Sequence, residues 1–404
     1  MNQILNPDKP SRSRLADVLL TYAVFAALGV TDGLISVAWP SIRAEFGLPV
    51  DALGMLLFTV MTGYLLISFF SGRVISRYPA KWLTAAGCLM VASGFTVYIL
   101  APAWLYILTA GIMVGAGNGL ISSAISADLA SRFSPRITQW LHACYGVGIT
   151  LGPLAMTYSV TRLDTWRWGY ILVITIQFIL FTFHIFSSGQ DRNKSRLTDQ
   201  NYHESPEGFR PSISQSLKKR PVILSILFFF FYAGLESTMG NWSYTLLTTS
   251  RGINPEAAGV LVGSFWGVYT LSRILAGFTG GKTGMNKMIL YSVLISLAGG
   301  ILLIISGSAA FSIAGVLIFG FAIAPIYPGM MASTKERTGR LHTPNTIGMQ
   351  IGAAGFGVAV IPGNAGLLAG VYGMESIPPV LAVLSLILLF LLFLLHRSSS
   401  LNHK

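Results

Sequence analysis

Charge is scarce in this chain: Asp, Glu, Lys and Arg together make up 10% of its 404 residues. A water-soluble domain covers its surface with roughly a quarter charged residues, so an aqueous surface is excluded for most of the chain. Acids are scarcer still, 15 against 27 Lys and Arg. The excess of cations could signal nucleic acid, but they are scattered between long apolar runs rather than gathered on one face, and no nucleic-acid partner is expected. Cysteine is nearly absent, and Cys88 and Cys144 both sit in apolar stretches, which excludes a disulfide framework. The sequence also lacks a metal-ligand cluster, a Ser/His/Asp arrangement and a phosphate-cradling loop followed by Lys. Enzyme chemistry has no support, and no cofactor or metal is expected.

What is there is hydrophobic, 53% of the chain. A bilayer-crossing helix takes about 20 apolar residues, so twelve take about 240 and leave the rest for loops. The sequence divides into spans near 15–39, 50–71, 81–101, 103–130, 138–160, 167–187, 221–247, 257–277, 287–306, 308–331, 344–370 and 376–396. The alternation of a membrane β-barrel is missing, as in the run from Leu381 to Leu395. The expected fold is therefore an all-α membrane protein of twelve helices. Polar sequence between 188 and 220 divides it six plus six, with 1–14 and 397–404 as tails, 15–187 and 221–396 as two bundles. The dividing segment reads as a solvated linker with a short surface helix near Ile213 to Leu217, or as a site for lipid headgroups.

Cations decide orientation, because cytoplasmic loops retain them. Twenty-three of the 27, Arg273 among them, fall on the side of the two termini, and only Arg43, Arg162, Arg167 and Arg251 on the other. Both termini are expected in the cytoplasm, the chain being multi-pass in a cell membrane, with a bacterial inner membrane as its expected place. Met1 to Arg14 is polar and carries no cleavage site, so the first span is read as a retained anchor.

The halves repeat. Gly54, Tyr64 and Gly72 recur at an offset of 205 as Gly259, Tyr269 and Gly277, and Gly146, Gly148 and Pro153 recur at an offset of 209 as Gly355, Gly357 and Pro362. The glycine runs resemble nucleotide-binding patterns, but they lie inside apolar helices and not between a strand and a helix. Small residues there let helices approach closely, and Pro lets them bend. Gly148, Pro153, Gly357 and Pro362 are therefore expected to serve gating.

The six-plus-six division and the segment Gly72-Arg-Val-Ile-Ser-Arg-Tyr-Pro-Ala-Lys81 resemble the major facilitator superfamily of secondary transporters. Gly72, Arg77 and Lys81 fit that family's loop, with Ser76 at its acidic place. The copy has Gly277, Lys282 and Gly284, with Gly281 at the acidic place. The resemblance implies gating roles for Gly72, Arg77, Gly277 and Lys282. Tyr232-Ala-Gly-Leu-Glu236 with Gly240 and Trp242, and Leu141-His-Ala-Cys-Tyr-Gly-Val-Gly148, are similar to the fucose-permease-like branch of sugar/proton symporters. The acidic positions of that branch's sugar symporter fall on Ser36 and Ser122 here.

A carboxylate at bilayer depth costs about 2.5 to 3.5 kcal/mol on insertion scales, and the two that lie well inside spans are Asp32 and Glu236. They occupy equivalent helices of the two halves, and the resemblance aims both at a central cavity. Either can take and release a proton, with His142 as a further proton partner or a packing residue. The alternative for the acids is hydrogen bonding between helices, or solvation by cavity water. One proton driven through 100 mV is worth about 2.3 kcal/mol, and tenfold accumulation costs about 1.4 kcal/mol. Groups suited to a polar solute are Asn118, Ser122, Tyr145, Asn241, Trp242, Gln350 and Ser36. Trp242 reads equally as an interfacial anchor, Trp39 reads as one, and Asn118 and Gln350 read equally as interhelical glue. Asp128 and Arg132 read as a local ion pair, or as a latch.

The expected function is proton-coupled uptake of a sugar or sugar-like solute by rocking of two halves, in a monomer. The runner-up is a proton-antiporting exporter of drugs or amphipathic metabolites. A third reading is a sensor on the same fold that binds without flux.

Overall fold

The computed structural model describes residues 12–132, 135–186, 211–305 and 308–401, and among them no strand occurs. Helix follows from the solvent: hydrocarbon offers backbone N–H and C=O groups no partner, so each segment satisfies its own. The first half comprises α1 (Arg12–Phe46), α2 (Ala52–Arg77), α3 (Ala80–Leu100), α4 (Trp104–Arg132), α5 (Pro135–Arg162) and α6 (Arg167–Phe186). A short α7 (Ile213–Leu217) leads into α8 (Arg220–Thr245), α9 (Pro255–Thr283), α10 (Met285–Ile305), α11 (Ala309–Ile323), α12 (Ile326–Ala332), α13 (Thr334–Thr338), α14 (Thr343–Tyr372) and α15 (Ile377–Leu401). Eleven expected spans are single helices. The tenth is two, α11 and α12, because Pro325 interrupts it.

Among the described residues, ten helices are long and apolar enough to cross a bilayer. In α2 the apolar stretch is shorter, Ala52–Ser68. The small α7 is a capped unit: Ser212 Oγ accepts from the Gln215 amide at 3.2 Å, and the Gln215 side chain accepts from the Ser212 amide at 2.8 Å. It docks on the start of α14, where Asn345 Nδ2 donates to Pro211 O at 2.8 Å and Ser216 Oγ lies 3.0 Å from His342 Nδ1.

The repeated glycines mark equivalent contacts. Gly148 packs on the backbone of α1 at Ala26, and Gly357 packs on the backbone of α8 at Phe230. Pro153 lies beside Gly33 of α1, and the Pro362 carbonyl receives the indole N–H of Trp242 in α8 at 2.9 Å. In equivalent places of the two halves, α1 with α5 and α8 with α14, missing side chains let backbones touch.

The other repeated glycines join the halves. Gly54 of α2 meets Gly363 of α14 so closely that a Cβ at Gly54 would sit 2.6 Å from Gly363 Cα. Gly259 and Gly263 of α9 meet Thr157 and Leu154 of α5, and Arg162 pairs with Glu256 at 3.0 Å. All these contacts lie at the end of the bundle away from the termini. Toward the terminal end, added Cβ atoms at Gly277, Gly348 and Gly352 meet nothing within 4 Å. The halves meet at the end away from the termini.

Candidate functional site

The close approach of α1 and α5 places one polar pair between the halves. A Cβ at Gly33 would lie 2.8 Å from both Ile149 O and Pro153 Cδ, so α5 rides directly on α1. Tyr145 therefore reaches across, and its hydroxyl donates to Asp32 Oδ2 at 2.8 Å. Asp32 is exposed although Thr31, Gly33 and Leu34 around it are buried. Its carboxylate faces away from the α1/α5 core. Tyr145 also lies in the electrostatic reach of Glu236 and Tyr269 from the other half. The two carboxylates thus flank one tyrosine.

Glu236 is half-buried on α8. Tyr232, one turn earlier, and Tyr269 on α9 lie within its electrostatic reach. Arg273 of α9 and Tyr327 of α12 complete the surrounding charge. Arg273 stacks 4.5 Å from the Tyr269 ring centre, donates to the Tyr269 hydroxyl, and donates through Nε to Ala324 O at 3.2 Å. Tyr232 donates to Ile323 O at 3.0 Å, and Ser272 to Phe321 O at 2.7 Å. Aromatic rings wall this cluster: Tyr327 lies 4.9 Å from Phe229, and Trp266 lies 5.3 Å from Tyr269.

Arg273 corrects the charge count made from sequence, which assigned it to the terminal-side loops. It lies inside the apolar stretch Pro255–Phe278 and is partly buried. The overlooked signal was its cost: a cation within a span needs a partner as much as a carboxylate does.

Two tryptophans also depart from expectation. Trp242 is wholly buried, its indole N–H spent on Pro362 O and its ring set against Gly366. It is a packing residue of α8 and α14, and neither a wall for a solute ring nor a headgroup anchor. Trp39 is likewise wholly buried, 5.9 Å from the ring of Trp104, and anchors nothing at a lipid interface.

The remaining candidates divide by their engagement. Asn241 donates to Ser237 O at 2.8 Å and to Ser237 Oγ at 3.0 Å, and Ser36 is buried with its hydroxyl turned 3.5 Å from Gly33 O. Gln350 is fully buried and accepts from Thr334 at 3.2 Å, leaving Nε2 without a protein partner. Asn118 is buried with Oδ1 unpartnered, and Ser122 is half-buried. Arg77 is exposed at the end of α2. His142, Gly72 and Lys282 lie within helices, while their side chains, like those of Asp128 and Arg132, fall outside the described residues.

Comparison with known proteins agrees with this architecture. The sequence profile of the Major Facilitator Superfamily matches residues 21–246 and 224–404. The glucose/mannose transporter GlcP of Bacillus subtilis (strain 168) is 22% identical over 348 residues, covering 85% of each chain. Sodium-dependent glucose transporter 1A of Mus musculus is 23% identical over 400 residues, covering 89% of this chain and 91% of that one. Among solved structures, a bacterial homologue of the human lysosomal transporter Spinster, inward-facing and unoccupied, superposes with a TM-score of 0.73 at 11% identity, over 97% of both chains. That last likeness is one of fold.

Proposed function

The chain belongs to the Major Facilitator Superfamily, and from that membership we propose that it carries a sugar or sugar-like solute across the membrane, coupled to protons, by alternating access. The observation that carries the reading is the Tyr145 to Asp32 hydrogen bond at 2.8 Å, with Glu236 of the other half in reach of the same tyrosine. The glucose carriers among its relatives support the solute class.

Asp32 has the neutral Tyr145 hydroxyl as its partner, whereas Glu236 stands beside Arg273. Proton exchange is assigned to the carboxylate that has no cation beside it. Asp32 is then the group that takes and gives up the proton, with His142 on the same helix as Tyr145 available to relay it. Glu236 receives solute hydroxyls, flanked by the aromatic walls of Tyr232, Tyr269 and Tyr327. Asn118, Ser122, Asn241, Gln350 and Ser36 supply further amide and hydroxyl groups. The bundles 15–187 and 221–396 rock about the Gly54, Gly363 and Gly259 contacts, with Gly72, Arg77, Gly277 and Lys282 at the opening end and 188–220 as the connecting linker. Both termini are cytoplasmic, so the end where the halves meet faces away from the cytoplasm, and one copy suffices.

Counterflow and uptake of labelled D-glucose into proteoliposomes test the reading. Wild type should accumulate sugar when the outside is acidic, and Asp32→Asn should exchange sugar but not accumulate it. Accumulation driven by a sodium gradient and indifferent to pH overturns the proton reading, and binding without exchange overturns transport.

A further inference from the structure

The break in the tenth span has a chemical cause and a chemical repair. Proline lacks an N–H, so Pro325 leaves the carbonyl of Phe321 without its helical partner, and Pro328 does the same to Ala324. Unsatisfied carbonyls at bilayer depth are costly. Those two carbonyls are the ones that α9 serves: Ser272 Oγ donates to Phe321 O at 2.7 Å, and Arg273 Nε donates to Ala324 O at 3.2 Å. The carbonyl between them, Ile323 O, takes the Tyr232 hydroxyl of α8 at 3.0 Å. Three adjacent side chains thus replace the backbone ladder across the break.

Arg273 has a second engagement. The same guanidinium donates to Tyr269, and both lie in the electrostatic reach of Glu236. The groups that face Glu236 are Tyr232 of its own helix, Tyr269 and Arg273 of α9, Tyr327 of α12 and Tyr145 of α5. Arg273 is the cation among them.

We infer that Arg273 is a positioning residue that ties the solute-facing carboxylate Glu236 to the proline break of α11 and α12 through one guanidinium. Its guanidinium lies within electrostatic reach of Glu236, and its Nε–H closes the carbonyl that Pro328 leaves open. Whatever draws on Glu236 from the cavity is thereby felt at the hinge of the tenth span. The assignment of Glu236 as solute-facing rests on the function proposed above, but the two ties are properties of the folded protein and can be measured without any solute.

Thermal unfolding of the purified full chain, followed between pH 5 and 8, separates them. With Arg273→Gln, Glu236 loses its cation, and a carboxylate alone in a low dielectric resists ionisation. The native state then favours its protonated form, so the unfolding temperature of Arg273→Gln should fall as pH rises across that range. Adding Glu236→Gln should abolish the fall. Pro328→Ala returns an N–H to Ala324 O, so Arg273→Gln should lower the unfolding temperature less in that background than in wild type. If Arg273→Gln does not yield folded protein, Arg273→Lys serves: it keeps a charge near Glu236, so its unfolding should follow pH as wild type does, while its interaction with Pro328→Ala is lost. An unfolding temperature of Arg273→Gln that follows pH as wild type does overturns the tie to Glu236. Equal losses with and without Pro328→Ala overturn the tie to the break. Either result stands apart from sugar transport, whose failure would be seen in counterflow alone.

Discussion

Arg167 and Arg251 perform one task from opposite members of equivalent helix pairs. Arg167 opens α6 and holds Glu45 at the end of α1, with Nη1 2.9 Å from Oε2, while its Nε donates to Ile99 O near the end of α3 at 3.0 Å. Arg251 follows α8 and holds Glu375 ahead of α15, with Nη2 2.9 Å from Oε2, while donating to Leu303 O near the end of α10 at 2.7 Å. The first and sixth helices of each half are clamped by an ion pair whose signs are exchanged between halves. In both, the arginine also closes the carbonyl end of the third helix.

The two clamps differ in burial, and their removal should differ accordingly. The Arg251 side chain is 8% exposed and that of Arg167 is 34%. Arg251→Ala leaves buried acceptors without a donor and should cost about 2–4 kcal/mol. Arg167→Ala should cost about 1 kcal/mol. Equal shifts in denaturant midpoint for the two variants would contradict this ranking.

Tyr145→Phe keeps the ring and deletes the donor to Asp32. A hydrogen bond given to a carboxylate favours its charged form. Its loss should change the pH profile of sugar uptake while exchange at saturating acid stays near wild type. An unchanged profile means that the 2.8 Å bond is absent in the working protein.

Gly54→Leu places a side chain where a Cβ alone would stand 2.6 Å from a backbone atom of Gly363. The closed end cannot then form, and since neither partner has a side chain to rotate away, the halves must part there. Spin labels at Leu163 and Ala257, on a background with Cys88 and Cys144 replaced by Ser, should report a longer distance than without the substitution.

His342 holds α7 through Ser216 at 3.0 Å. Burial and nearby Lys219 hold its pKa below the ordinary histidine range. The folded state therefore prefers the neutral ring, and this contribution is present above about pH 6.5 and lost as pH falls through the lower folded value. Amide exchange in 212–218 should quicken between pH 7.5 and 5.5 after correction for intrinsic rates. His342→Gln should remove the difference.

Spans were legible because lipid admits so few backbone solutions that apolar length alone betrays them. Asp32 and Glu236 were legible for the converse reason, as charges where none is cheap. The same rule applied to Arg273 would have found it, but a count of cations by side hides a cation lying inside a span. The tryptophans misled because proximity to a helix end resembles a lipid belt, whereas the burial of Trp39 and Trp242 is decided by which helix lies alongside. The exchanged clamp escaped for another reason. A search for like residues at a constant offset finds Gly148 and Gly357, which meet a backbone in each half, but it cannot find a pair whose members have traded places.

The proline break also bears on how the protein is made. Entering the bilayer alone, the tenth span would carry the carbonyls of Phe321 and Ala324 into hydrocarbon unpaired, at several kcal/mol each. Ser272 and Arg273, which close them, leave the ribosome about fifty residues earlier, and Tyr232 earlier still. Synthesis from the N-terminus thus delivers the donors before the acceptors, and the break arrives at a surface already equipped to receive it. A circular permutant that inserts the tenth span ahead of α9 should stall at the translocon or be degraded, even though its finished fold would contain every bond of the natural one.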